Sequence, residues 1–586
     1  MKRGDGKPLG APACRRTPFP EVNALQVSSE SLPGQTRSRR TGARRHPLLS
    51  ASAVLAAAIV LMPAIAIVVI AATGGTDNWP HLLSNVIPRA TLRTLILLAG
   101  VGTITAIIGV ITAWLVASCE FPGRRVLSGL LVLPLAIPAY LGAYAFAEFF
   151  SFTGPVQTAY RALFGFQTSR DYWFPEVRTT GGAMLVLSSV LYPYIYLSAR
   201  SMFLMQGRAA ADVARTLGAG PLKVFARIQI PMARPAIMVG LTLVAMETLN
   251  DIGAVEYLGV QTLTFSIFDT WLNRGSLAGA AQIACVMLIF VIVLMMVERA
   301  ARRRQRFSSQ KTTAAVLDSV RLKLTGWKKW AASLACLLPP VIGFAIPVFV
   351  LGGYAARRLE QFASTRLLSA LWHSILVSGS TALVAVLLAF LLAYAARTTR
   401  SRLNAAAGRF ASFGYGVPGT VLAMGVLIPL ANFDNAVDAF LRAQFGISTG
   451  LMLSGTGFAI IYACTVRFLT MAEGTIDAGF HKLSPHLDMA ARTLGRTSSQ
   501  TLWSVLLPMM RPATLTAALL VFIETMKELS ATIMLRPFNF NTLATLVYED
   551  ASRAKVEDAG VPAIIIVAVG LIPVFLVSRS LDRKGG

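Results

Sequence analysis

Four carboxylates stand inside stretches too apolar to be ordinary protein surface. Glu247 and Asp251 lie in one stretch, Glu524 and Glu528 in another, and each pair is spaced i, i+4. On a helix that spacing puts both members on one face. An ionisable group at bilayer depth costs roughly 2.5–3.5 kcal/mol on insertion scales, so it turns towards a cavity or a partner. Carboxylate oxygens gathered in a cavity suit a hard cation, and equally a cationic organic molecule. The competing reading is structural. Lys527 stands beside Glu528, and Arg234 or Arg511 could tie the carboxylates to neighbouring loops.

Other chemistries find no support. The chain has no Gly-x-x-x-x-Gly-Lys-Ser/Thr phosphate loop; Gly6-Lys7 is followed by Pro8 and lacks the first Gly. Any nucleotide hydrolysis must then come from a partner, so the chain reads as a non-enzyme with no catalytic residue. Cys14, Cys119, Cys285, Cys336 and Cys464 are widely separated, with no CxxC and no Cys/His cluster of metal spacing. His373, His481 and His486 show no ligand spacing either and read as interfacial or loop residues. No metal or cofactor is expected.

The elements that must position the carboxylates are transmembrane. Of 586 residues, 55% are apolar and 14% charged, against about 25% charged in an average soluble domain. Apolar runs fall near 48–72, 92–118, 126–150, 181–201, 236–258 and 278–298, then near 331–353, 368–396, 408–431, 451–471, 513–534 and 561–579. A run of about 20 apolar residues crosses the hydrocarbon core, and a helix satisfies its own backbone there. The expected fold is all-α with 12 transmembrane helices.

The net charge of +26 is distributed as orientation signals rather than as a nucleic-acid surface. Arg44-Arg45, Arg124-Arg125, Arg208 to Arg234, Arg299 to Lys311, Arg397 to Arg402 and Arg579 to Lys584 all fall on one side if the chain crosses twelve times. By the positive-inside rule that side is cytoplasmic, and both termini lie there. Residues 1–47 precede the first apolar run, lack a signal-peptide layout, and read as a disordered basic cytoplasmic arm.

The chain repeats itself. Ala214-Arg215-Thr216-Leu217-Gly218 recurs as Ala491-Arg492-Thr493-Leu494-Gly495, Pro231 as Pro508, Arg234-Pro235-Ala236 as Arg511-Pro512-Ala513, and Glu247-Thr248 as Glu524-Thr525. All share the offset of 277, and Pro138 with Pro418 extends the match at 280. The expected organisation is a first half over 48–298 (core 90–298), a cytoplasmic linker over 299–330 and a second half over 331–586 (core 365–580). Each half has an even number of crossings, so the halves are expected to be parallel, with a pathway between them.

Both repeated loops follow the fourth run of their half on the cytoplasmic side. Taken singly, each reads as an amphipathic surface helix ending at a Gly/Pro turn. Taken together they resemble the EAA loops of type I ATP-binding-cassette (ABC) importer permeases. That pattern is Glu-Ala-Ala, a Gly six positions after the Glu, then an aliphatic residue and Leu-Pro. Asp212-Val213-Ala214, Gly218, Ile228 and Ile230-Pro231 stand at those positions in the first half. Met489-Ala490-Ala491, Gly495, Val505 and Leu507-Pro508 stand there in the second, with Asp488 one residue before the acidic position. The resemblance implies that each loop seats a coupling helix in an ATPase subunit, two copies in all. The loss of the acidic residue at Met489 implies unequal docking sites.

The stretches Glu247–Val255 with Gln261–Thr264, and Lys527–Thr532 with Leu535–Phe538 and Thr542–Thr545, are similar to fused permeases of the ferric-iron importer family. That resemblance spans roughly 90–300 and 365–580. It implies a multi-pass permease of the bacterial inner membrane that receives substrate from a periplasmic or lipid-anchored binding protein, with membrane lipid as its other partner and no nucleic acid. Thiamine permeases of the same class look similar, and more distantly so do those for polyamines, sulfate and phosphonates. The alternative of another class is a major-facilitator-type secondary transporter. Against it, the short Cys119–Arg125 loop lacks the spaced Gly, Asp and Arg expected there.

Overall fold

A computed structural model describes residues 47–75, 79–205, 213–214, 216–303, 321–399, 402–411, 414–484 and 486–583. The N-terminal arm, residues 206–212 and 215 of the first repeated loop (Asp212 among them), and most of the linker lie outside the described residues.

Ten helices among the described residues are long and apolar enough to cross a bilayer: Pro47–Thr73, Trp79–Ser118, Thr180–Leu204, Pro221–Asn250, Leu277–Val297, Trp327–Arg357, Thr365–Thr399, Gly419–Phe445, Phe458–Lys482 and Leu502–Lys527. The pair Arg124–Ala136 and Ala139–Phe149, bent by 96°, makes an eleventh if counted as one span. A further helix, Gly560–Arg583, is apolar over Gly560–Leu576. The molecule is therefore an all-helical membrane protein, apart from one two-residue parallel pairing of Cys119–Glu120 with Leu322–Lys323.

Four of the expected crossings are not continuous helices. The run at 126–150 breaks where Ile137 turns extended (φ −100°, ψ 115°) ahead of Pro138. A residue before proline is pushed out of the α region. The run at 408–431 breaks at the matching point: Pro418 (φ −58°, ψ 145°) repeats Pro138 (φ −57°, ψ 144°) as the residue before a helix. The runs at 236–258 and 513–534 break at Asp251 and Glu528, treated below.

Outward-facing positions are apolar, as lipid contact requires. Leu83, Leu92, Leu383, Leu387 and Leu515 are all exposed. Polar side chains turn inward and bond locally: Thr248 donates to the Val244 carbonyl and Thr525 to that of Val521, both at 2.8 Å. A buried hydroxyl at bilayer depth thus has an acceptor one turn back.

The first long helix packs away from its own sequence neighbours. The 47–73 helix lies against 419–445, where a Cβ on Gly425 would sit 2.2 Å from the Pro63 carbonyl oxygen. Only glycine permits that approach. The 327–357 helix packs on 139–149 as well as on 560–583, and a Cβ on Gly343 would sit 2.0 Å from the Ser189 carbonyl. Small residues at such crossings let backbones close up where lipid offers no hydrophobic drive to association.

Candidate translocation cavity and coupling loops

The 221–250 helix ends at Asn250, and Asp251 takes extended backbone (φ −75°, ψ 112°). Oδ1 of Asp251 then accepts the Ala254 backbone N–H at 2.6 Å, at the start of the short helix Gly253–Tyr257. The second half repeats the break. The 502–527 helix ends at Lys527, and Glu528 is extended (φ −71°, ψ 123°). Oε1 of Glu528 accepts from Ala531 N at 2.8 Å, and Oε2 accepts from Thr532 N at 3.0 Å and from its hydroxyl at 2.7 Å. Each carboxylate satisfies the free N–H groups of the turn that follows it, as a side chain at a helix start does. The i, i+4 spacing therefore does not place each pair on one helical face: Glu247 and Glu524 end a helix, while Asp251 and Glu528 begin the next turn.

All four carboxylates nonetheless line one cavity of about 90 Å³, together with Arg467 and Lys527. The partners differ from those expected. Lys527 pairs with Glu524 at 2.8 Å rather than with Glu528. Glu528 pairs with Arg467 at 3.0 Å, and both side chains are buried. Glu247 accepts from the Tyr415 hydroxyl at 2.7 Å. These contacts replace the proposed ties through Arg234 and Arg511. Across the cavity the halves are joined by Asn250, whose Oδ1 accepts from Gly419 N at 2.8 Å and whose carbonyl accepts from the Ser530 hydroxyl at 2.8 Å.

Arg467 escaped the sequence reading. The signal was present: a single arginine in the otherwise apolar first turns of the 458–482 helix, where an ionisable group marks a function or a partner. Its repeat counterpart is Val190, so the cavity is asymmetric in charge. Four carboxylates face two cations, leaving a formal excess of two negative charges on the lining. Among the described residues no group of three His, Cys, Asp or Glu has metal-holding geometry. His373 stacks on Phe540 at 4.1 Å, and His481 lies 3.3 Å from Asp477.

The repeated loops adopt one local form. Gly218 (φ +82°) and Gly495 (φ +81°) take the left-handed conformation that glycine adopts without steric cost. Nothing lies within 4 Å of a Cβ built on either, so the backbone angle is the constraint and not space. Behind each glycine the chain closes a helix end: Ala219 N bonds to Ala214 O and Arg496 N to Ala491 O, both at 3.0 Å. This is the left-handed cap that ends many helices. Ala214 packs against Val224 in the first loop, and Ala491 is buried in the second. Ala490 is exposed, and Asp488 lies within the helix His486–Thr493.

Beyond each glycine the chain re-enters the long helix through a matching five-residue π-helical turn, Phe225–Gln229 and Leu502–Leu506. Pro231 and Pro508 stand in the first α turn after it. A proline lacks the N–H of a regular helix and clashes with the preceding turn; the wider turn accommodates it. The helix is continuous from Pro221 to Asn250, 30 residues, or about 45 Å at 1.5 Å per residue. One rigid element thus joins each loop to its carboxylates.

The pattern described as "Binding-protein-dependent transport system inner membrane component" matches twice, over residues 105–307 and 385–584. Among curated proteins the chain is 26% identical over 484 residues to the Fe(3+)-transport system permease protein FbpB 2 of Haemophilus influenzae, covering 81% of this chain and 87% of that one. It is 25% identical over 272 residues to the sulfate permease CysT of Salmonella typhimurium, covering 45% of this chain and 91% of that one. It is 26% identical over 187 residues to the molybdenum permease ModB of Escherichia coli, covering 31% and 78%. The double match excludes the major-facilitator alternative. The chain belongs to the binding-protein-dependent transport system inner membrane component family: it is a multi-pass inner-membrane permease of an ABC importer, a transport subunit and not an enzyme.

Proposed function

We propose that the permease carries ferric iron through the cavity lined by Glu247, Asp251, Glu524 and Glu528. The charge of that lining carries the reading. An excess of two formal negative charges attracts a hard cation and repels sulfate, molybdate or a phosphonate. The long match to an Fe(3+) permease supports it, and the oxyanion permeases cover half of the chain or less. A cavity of about 90 Å³ suits an ion better than thiamine or a polyamine.

In this reading the bent 124–149 pair and the 560–583 helix complete twelve crossings, six in each half. The halves span 48–298 and 331–586, joined by 299–330, with both termini cytoplasmic. The 1–47 arm is a cytoplasmic basic tail. Two ATPase copies dock on the loops, through Asp212, Ala214, Gly218 and Pro231 in one half and Asp488, Ala490, Ala491, Gly495 and Pro508 in the other. A binding protein delivers substrate on the opposite face. ATP hydrolysis moves the loops, and the two continuous helices transmit the motion to the carboxylates.

The test is uptake into proteoliposomes holding the permease with its ATPase and binding protein. ATP-dependent accumulation of radiolabelled ferric ion, with none of sulfate or molybdate, is the expected result. Oxyanion uptake without ferric uptake would sink the proposal.

A further inference from the structure

A second cavity, of about 340 Å³, lies at the membrane face opposite the coupling loops. Its sidedness follows from the chain: the 221–250 helix starts at the loop and ends at the central carboxylates, and Glu256 lies beyond that end. The lining draws on both halves, with Tyr144, Glu148, Glu256 and Tyr257 from the first and Tyr548 from the second.

Each carboxylate here is held by a phenol from the second half. Tyr354 donates to Oε2 of Glu148 at 3.2 Å, and Tyr548 donates to Oε2 of Glu256 at 2.6 Å. The Oε1 atom of each has no hydrogen-bond or ion-pair partner among the described residues. Arg178 stacks over the Tyr257 ring at 4.8 Å, so two carboxylates meet one guanidinium and the lining keeps a formal negative excess.

Tyr144 supplies an independent observation. It is 1% exposed and lines the cavity, yet it makes only ring contacts, with Tyr140 at 6.0 Å and Tyr257 at 4.5 Å. Its hydroxyl has no hydrogen-bond partner among the described residues. One turn back, the Tyr140 hydroxyl is buried without a partner, and Tyr140 lines the central cavity. A buried hydroxyl without a partner has given up its hydrogen bond to water for nothing in return. Tyr140 and Tyr144, one turn apart on the 139–149 helix, line one carboxylate-bearing cavity each.

We propose that the outer cavity is a transit site for a hard, oxygen-seeking cation, with Glu148 and Glu256 supplying charge and Tyr144 a neutral oxygen ligand. The proposal rests on the cation reading of the central cavity and extends it outward. Two carboxylates and phenols make an open, weak site, which suits conduction: a transported ion must enter favourably and still leave. The Tyr140–Tyr144 pair is then the step from the outer cavity to the central one.

The experiment uses the purified full-length chain in detergent with Tb³⁺, a hard trivalent ion whose emission is sensitised by nearby tyrosines. The Glu148→Gln/Glu256→Gln variant is expected to weaken Tb³⁺ binding by about tenfold or more. Tyr144→Phe, which removes only an unpartnered hydroxyl, is expected to weaken binding less while leaving the thermal unfolding profile intact. Unchanged affinity in a folded double variant overturns the site; should that variant fail to fold, unchanged affinity in Tyr144→Phe overturns it. Ferric uptake by the wild-type importer is read separately. Uptake together with variant-insensitive Tb³⁺ binding sinks the outer site and leaves the iron reading standing. Variant-sensitive Tb³⁺ binding without ferric uptake supports the cation site and sinks iron as its cargo.

Discussion

Nη1 of Arg467 lies 3.0 Å from Oε1 of Glu528, with both side chains buried at the centre of the protein. The same Oε1 accepts the Ala531 backbone N–H, so the ion pair also fixes the turn after the 502–527 helix. Removing one partner of a buried pair leaves the other charge uncompensated, at a cost of about 3–5 kcal/mol. Arg467→Met is expected to lower the detergent melting temperature markedly. Arg467→Met with Glu528→Gln is expected to recover much of the loss, since Gln keeps an acceptor for the Ala531 N–H. A double variant no more stable than Arg467→Met alone would show that the pair is not the stabilising unit.

Gly218 and Gly495 in the repeated loops are set by backbone angle, because the space around them is open. Gly218→Asn and Gly495→Asn are expected to retain transport, since asparagine tolerates the left-handed region. Gly218→Val and Gly495→Val are expected to distort the turn at about 1–2 kcal/mol of local strain. They should uncouple ATPase stimulation from transport while the permease melts normally. Equal transport by the Asn and Val variants would count against the turn as the coupling element.

Leu217 and Leu494 occupy matching positions and are each 83% exposed. They lie beside the glycine turns, where lipid contact is not the explanation offered by the coupling reading. Leu217→Asp and Leu494→Asp are expected to change permease stability by less than about 0.5 kcal/mol, as exposed substitutions usually do. Co-purification of the ATPase should nevertheless fall. Undiminished capture of the ATPase by the double variant would remove these residues from the docking surface.

Much of this site was legible in sequence because it depends on residue type at a fixed local spacing. The doubled Gly218/Gly495 turn and the four carboxylates are of that kind. The ends of the two long helices were not legible, because Glu247–Asp251 and Glu524–Glu528 sit in apolar runs that read as unbroken. The capping geometry was encoded only in the three-residue steps from Asp251 to Ala254 and from Glu528 to Ala531. The partners lay further off. Tyr415 reaches Glu247 across 168 residues and Arg467 reaches Glu528 across 61. The packing of 47–73 on 419–445 is longer-range still, and no local periodicity reports it.

The four cavity carboxylates are not equivalent, and their partners predict how each responds to neutralisation. Glu247 is held by a neutral phenol, Tyr415, rather than by a cation. Glu247→Gln keeps an oxygen to accept that hydroxyl and leaves no buried cation unpaired, so the fold should be unaffected. What changes is the charge offered to a passing cation. Ferric uptake is expected to fall by about tenfold, equivalent to ~1.4 kcal/mol of barrier. Glu524→Gln instead strips the carboxylate from Lys527, its partner at 2.8 Å. That leaves a cation facing the cavity, so uptake should fall further than in Glu247→Gln. Initial uptake rates of the two variants, at matched protein in the membrane, decide the point: the reverse order would show that charge in the cavity does not govern passage.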